Sequence, residues 1–238
     1  MDFDLSPLWI SLKTAAVSTV FTFFFGILFA RLVYPMKRFR FLIDGLLSLP
    51  MVLPPTVVGF FLLIIFGKNS ATGRLLSAAG INVIFTWQGA VIAAIVVSFP
   101  IMYITTMGAF EQMDTELIDA AKTLGFSDRA IFFKVWIPLS WPGIAAGTTL
   151  SFARALGEFG ATIMIAGNLP GKTRTMSTAV YSAMQGGNRE MAYRWVIIIM
   201  LISLCTLVLM NFWSSRKYTR DERKQSVARR LGLFGRQQ

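Results

Sequence analysis

The sequence contains no histidine and a single cysteine, Cys205. Without histidine, the commonest general base at neutral pH and the commonest metal ligand are missing. A lone cysteine inside an apolar segment excludes a disulfide framework and any CxxC metal or redox site. No nucleophile–base pair and no metal cluster is visible, so an integral membrane enzyme is the weakest of the function classes. Charge is scarce as well, at 15% of residues, against 55% hydrophobic residues and a mean hydropathy of +0.60. The few charges are clustered, which leaves several apolar stretches of roughly twenty residues, the length a helix needs to cross a bilayer. Acids are scarcer than bases, 12 Asp and Glu against 23 Lys and Arg, for a net charge of +11. In a soluble chain that excess would point to nucleic acid; in a membrane protein it reports orientation, and no nucleic-acid partner is expected. The N-terminus, Met1-Asp2-Phe3-Asp4, has acids where a cleavable signal would be positive, so the first apolar segment is expected to be retained as mature structure.

Five segments have the length and apolarity of transmembrane helices, at about 9–34, 41–66, 87–109, 140–166 and 194–214. The expected fold is therefore all-α and integral to the membrane. Residues 1–215 form one transmembrane domain and 216–238 a basic cytoplasmic tail. If the turn at 36–40, the loop at 111–138 and the tail share one side, that side holds Lys37, Arg38, Arg40, Lys122, Arg129 and Lys134. It also holds the tail residues Arg216, Lys217, Arg220, Arg223, Lys224, Arg229, Arg230 and Arg236. The opposite side has only Lys13, Lys68, Arg74, Lys172, Arg174, Arg189 and Arg194. The excess places the N-terminus outside and the C-terminus inside. The tail reads either as a partner-binding arm or as a topology anchor near anionic lipid.

The second span contains Leu49-Pro50-Met51-Val52-Leu53-Pro54-Pro55. Proline removes an amide donor and clashes with the preceding turn. At membrane depth such a break is tolerated only where protein or a water-filled cavity satisfies the freed carbonyls. Pro50, Pro54 and Pro55 thus mark a kinked helix, either flexing along a transport pathway or statically bent for packing. Pro100 raises the same question in the third span. The fourth span has Gly143, Gly147, Ser151 and Ala155 at intervals of four, a stripe that lets helices approach closely, within one chain or across a dimer. It also has Arg154 and Glu158 on one face. An unpaired arginine at mid-membrane costs about 2.5–3.5 kcal/mol on insertion scales, so the two are expected to pair. The pair is either structural or one that rearranges during gating. Glu158 is the one clearly mid-span acid in this reading.

The loop after the third span is amphipathic. Leu117, Ala120, Ala121 and Leu124 follow the i, i+3, i+4, i+7 spacing of one helix face, with Glu116, Asp119, Lys122 and Thr123 on the other. Asp114 is placed to cap the start and Gly125 to end the helix in a left-handed conformation. Ser127 is placed to cap a second short helix running to Pro138. Such a helix buries its apolar side in lipid headgroups or in a groove of another protein, and periodicity does not choose between them.

The spacing Asp119-Ala120-Ala121-x3-Gly125-x9-Val135-x-Ile137-Pro138 resembles the EAA loop of ABC importer permeases, with Asp in place of the family's Glu, Val for Ile and Ile for Leu. Ala153-Arg154-Ala155-Leu156-Gly157-Glu158-Phe159-Gly160-Ala161-Thr162, the stretch Ala166–Thr175 and Leu53-Pro54-Pro55-Thr56-Val57-Val58-Gly59 are similar to molybdate permease subunits. Sulfate and thiosulfate permeases are the nearest confusion, and tungstate is chemically too close to molybdate to separate. The resemblance implies the type I importer permease fold in a bacterial inner membrane. It implies a homodimer, a cytoplasmic ABC ATPase that uses the ATP, and an extracytoplasmic oxyanion-binding protein. No cofactor and no metal is expected on this chain, and no catalytic residue. It further implies that Glu116, Leu117, Asp119, Ala120, Ala121, Leu124 and Gly125 lie in a coupling helix seated in a groove of the ATPase. Pro50, Pro54, Pro55, Arg154 and Glu158 are the candidates for pathway or gate.

Ala166-x4-Gly171-Lys172-Thr173 fits a relaxed P-loop pattern, but a P-loop follows a buried strand and opens a helix. Here it follows a membrane span and faces away from cytoplasmic ATP, so nucleotide binding is not expected. The loop reads as a contact for a solute-binding protein or as a surface turn, leading into an amphipathic stretch at 175–186. An ion-coupled secondary transporter is the competing class; it calls for internal repeats and unpaired intramembrane acids, and neither is apparent.

Overall fold

The computed structural model describes residues 4–36, 38–206 and 208. The basic tail and the end of the last apolar segment lie outside the described residues. The first span is α1 (Ser6–Val33), with Pro7 in its first turn, where a missing amide costs nothing. Asp4 holds its start, accepting from the Ser6 amide at 2.9 Å and from the Ser6 hydroxyl at 2.8 Å. This helix reverses the pattern of a soluble one. Its buried stripe is small and hydroxylic (Ser11, Thr14, Ala15, Ser18, Thr22, Gly26), while Phe21, Phe24, Phe25 and Leu28 point outward. Where lipid is as apolar as leucine, close backbone approach and interhelical hydrogen bonds decide which face turns inward.

That stripe meets α5 (Trp87–Glu111), the central helix, and α8 (Ile137–Leu156) packs against both α5 and α1. Thr22 Oγ1 and Ser98 Oγ lie 3.3 Å apart, and Ser151 Oγ donates to the Ser98 carbonyl at 3.4 Å. Pro100 is accommodated inside α5 without ending it. The small-residue stripe of α8 is spent within the chain. An added Cβ at Gly143 would sit 2.6 Å from Ala109 Cβ, and one at Gly147 only 2.0 Å from Thr105 Oγ1. Gly147→Leu is therefore expected to push α8 off α5 at a cost of about 1–3 kcal/mol or more. Thermal unfolding in detergent checks this, and an unchanged midpoint would show that the contact is not close.

Two of the expected spans are not single helices. The segment 41–66 divides into α2 (Arg40–Val52) and α3 (Pro55–Phe66), bent by 108°. Leu53 is extended, φ −68° and ψ 142°, because a residue preceding proline is pushed out of the helical region. Pro54 and Pro55 bring no amide donor, so no hydrogen bond carries α2 into α3. Pro50 lies inside α2 and does not end it. The segment 140–166 also divides. Its helix begins earlier, through α7 (Asp128–Ile131) and a π-helical turn (Phe132–Trp136) into α8, and it stops at Leu156. After the break, α9 (Gly160–Ile165) begins a new helix.

Among the described residues three helices are long and apolar enough to span a membrane, or up to four if the bent pair is one span. The fifth expected segment, 194–214, is helical through 206 in α11 (189–206), and beyond it only Val208 is among the described residues. Short elements complete the chain: α4 (Ala71–Ala78), α6 (Thr115–Thr123) and α10 (Met176–Gln185).

Candidate coupling loop and intramembrane breaks

The loop helix α6 is built by local chemistry. Asp114 Oδ1 accepts from the Glu116 amide at 2.9 Å, satisfying a first-turn donor. Gly125 takes φ +78°, and the Phe126 amide returns to the Ala121 carbonyl at 3.1 Å, closing the C-terminus. Ser127 Oγ then accepts from the Ala130 amide at 3.3 Å and starts α7.

The expected apolar face is split by the fold. Ile118 and Ala121, 9% and 8% exposed, turn inward onto a cluster with Ile131, Trp136, Phe110 and Met107. Leu117 and Leu124, 50% and 76% exposed, face outward together with exposed Ala120 and Phe126. Ala121 thus belongs to the chain's own core, where periodicity had put it beside Leu117. Glu116 is exposed, and Asp119 is open to solvent with Lys122 3.8 Å away.

Beneath α6 lies an aromatic set. The Trp136 ring sits 4.6 Å from Tyr34 and 5.0 Å from Phe110, and the Arg31 guanidinium lies 4.9 Å from its centroid. A cation over desolvated rings is satisfied without a carboxylate. These rings fasten α6 and the π-helical turn to the ends of α1 and α5.

The two helix breaks touch each other. An added Cβ at Gly160 would meet Pro55 Cβ at 2.9 Å and the Thr56 amide at 3.1 Å, and one at Gly59 would meet Ala161 Cα at 2.8 Å. Glu158, with 2% of its side chain exposed, sits at this junction. Arg154 Nη1 donates to its Oε2 at 2.7 Å, and the Ala161 amide donates to its Oε1 at 2.8 Å. The carboxylate thereby neutralises Arg154 and caps α9, which is why a helix restarts there. Of the residues expected near a pathway, Pro55, Glu158 and Arg154 come together. Pro54 is exposed at the turn, and Pro50 lies a turn earlier within α2.

One residue was missed. Asp44 is a second acid within an expected span, held by Arg40 Nε at 3.3 Å and by the Tyr103 hydroxyl, which donates to it. The i, i+4 spacing of Arg40 and Asp44 is the signal that could have found it.

The P-loop-like segment is a closed turn. The Lys172, Thr173 and Arg174 amides all donate to the Leu169 carbonyl, at 3.1, 3.0 and 3.1 Å, and helix α9, not a strand, precedes it. Amides already spent on one carbonyl are not free to cradle phosphate.

A bundle of apolar helices, two of them broken where they meet, with a short amphipathic helix projecting from one end, is the membrane component of a transporter. The chain belongs to the family of binding-protein-dependent transport system inner membrane components, whose model matches residues 22–217. It is accordingly a multi-pass inner-membrane permease subunit. It is 43% identical over 213 residues to the molybdenum transport system permease protein ModB of Escherichia coli K12, covering 87% of this chain and 91% of that one. ModB of Haemophilus influenzae is 39% identical over 217 residues, covering 90% and 94%. A sulfate transport system permease, cysT of Chlorella vulgaris, is 34% identical over 204 residues, covering 86% and 76%. Among solved structures, a bacterial ABC transporter that imports alginate matches with a TM-score of 0.74 at 17% identity, covering 89% of this chain and 79% of that one. The inward-facing MetNI methionine ABC transporter matches with 0.69 at 17%, covering 88% and 94%. The fold is that of ABC importer permeases.

Proposed function

We propose that this chain is the permease subunit of an ATP-driven molybdate importer. It works as a homodimer with two copies of a cytoplasmic ATPase, which uses the ATP, and receives the oxyanion from an extracytoplasmic binding protein. The observation that carries the coupling reading is the outward apolar face of α6, Leu117, Ala120 and Leu124, on a helix whose other face is fastened to the membrane core. The substrate reading rests on the identity to the molybdenum permeases, 43% for the Escherichia coli chain against 34% for the cysT chain.

In this reading α6 sits in a groove of the ATPase as a coupling helix, with Glu116 and Asp119 at its rim. When the ATPase dimer closes on ATP, α6 follows. The aromatic set around Trp136 passes the displacement to α1 and α5, and the bundle switches its access from one side to the other. The paired breaks, Leu53–Pro55 against Gly157–Gly160, are where the backbone yields. No covalent chemistry falls to this chain. Selectivity sits in the binding protein, because fixed cations along a pathway would slow release of a dianion.

Reconstitution tests this. The complex is expected to show ATPase stimulation by binding protein loaded with molybdate or tungstate. Stimulation by the sulfate-loaded protein alone would overturn the substrate, and gradient-driven uptake without the ATPase would overturn the mechanism.

A further inference from the structure

The helix α2 is poorly held by apolar packing. It has no fully buried residue, and Phe41, Leu42, Leu46 and Val52 are exposed. Only Ile43 and Leu47 reach the apolar cluster beneath α6. What ties α2 to α5 is polar. Arg40, the first residue of α2, pairs with Glu111, the last residue of α5, and its Nε lies 3.3 Å from Asp44 Oδ2. Tyr103, 1% exposed, donates its hydroxyl to Asp44 Oδ1 from α5.

The placement of this set matters more than its strength. Glu111 ends α5 three residues before Asp114, the cap of α6. At the other end of α2, 13 residues or about 20 Å away, lies the break at Leu53–Pro55 that packs on α9. A helix of that length moves as a rod. Shifting its polar end turns it about its unbonded end.

We infer that Arg40, Asp44, Tyr103 and Glu111 are positioning residues for transport: they set α2 against α5 and relay displacement of α6 to the intramembrane break. The inference rests on the reading of α6 as the ATPase contact. A packed or bonded route becomes a coupling route only if perturbing it changes coupling rather than assembly. The decisive readout is therefore ATP hydrolysed per oxyanion imported, measured on the reconstituted complex of permease, ATPase and binding protein.

Arg40→Gln and Glu111→Gln are each expected to keep the ATPase bound and to raise that ratio roughly fivefold or more. Combined, they are expected to raise it no further than Arg40→Gln alone, because that change already removes the pair with Glu111 along with the one to Asp44. Arg40→Lys, which keeps the charge, is expected to stay near the wild-type ratio. Tyr103→Phe keeps the ring in place and removes only the donor, and it too is expected to raise the ratio. Unchanged ratios in both single neutral variants, or fully additive effects in the pair, would overturn the inference. Should either neutral variant fail to assemble, Tyr103→Phe decides, and a wild-type ratio there overturns it equally. A wild-type complex that never retains the ATPase would instead bring down the underlying reading of α6, before any variant is compared.

Discussion

Leu117→Glu is expected to release the cytoplasmic ATPase while leaving the membrane bundle folded. The side chain is half exposed and is not one of the buried residues of the core beneath α6, so the isolated permease loses little when it is replaced. On the proposed docking of α6, the same position lies against an apolar groove of the ATPase. A carboxylate buried there without a partner loses its hydration, at a cost of several kcal/mol. At about 1.4 kcal/mol per decade, a loss of about 3 kcal/mol lowers affinity roughly a hundredfold, enough to abolish co-purification. Ala121→Glu makes the contrast. Its carboxylate would enter the cluster of Ile118, Trp136 and Phe110, so the loop itself is expected to come apart, with a lower unfolding midpoint as well as loss of the ATPase. Co-purification and thermal unfolding of both variants separate the two effects. Intact co-purification of Leu117→Glu would mean that α6 docks by another face or lies on lipid.

Glu158→Ala is expected to be among the most destabilising single changes in the bundle, by about 3–5 kcal/mol, the cost of breaking a buried ion pair from one side. Two groups lose their partner at once: Arg154 Nη1, now 2.7 Å from the carboxylate, and the Ala161 amide at 2.8 Å. Glu158→Gln separates the two roles. The amide oxygen still accepts from Ala161 and keeps α9 capped, whereas the charge on Arg154 is left uncompensated. Its midpoint is expected to fall between wild type and Glu158→Ala. Equal midpoints for the two variants would show that the cap contributes nothing, and an Ala variant as stable as wild type would refute the structural role of the pair. Transport by the Gln variant reports separately on whether the junction of breaks must be neutral to move.

Much of this was legible in the residues alone. The apolar stretches place α1 and α5 to within about three residues at each end, because a run that long and that apolar has one stable state in a bilayer. The caps of α6 and α7 were equally plain, since Asp114, Gly125 and Ser127 act through amides within a few residues of themselves. The Arg154–Glu158 pair followed from helical spacing and the cost of a lone charge. The excess of small residues on α8 announced a close contact, though not with which helix.

What only the tertiary structure decided concerns faces, angles and distant partners. Helical spacing puts Leu117, Ala120, Ala121 and Leu124 on one arc. The rings of Phe110 and Trp136, on α5 and in the π-helical turn, determine that Ala121 lies under that arc and Leu117 outside it. Pro54 and Pro55 announce a break but not its 108°, which depends on α3 packing against α9 through Gly59 and Gly160. Asp44, unremarked in the sequence, gains its partners only where α5 brings Tyr103 across to it and Glu111 to Arg40. Local geometry and the free energy of transfer into lipid are properties of a segment, so the sequence by itself determined α1, α5, the caps of α6 and α7 and the membrane setting. Which side of a helix is inside depends on the neighbour it meets, and that meeting exists only in the folded chain.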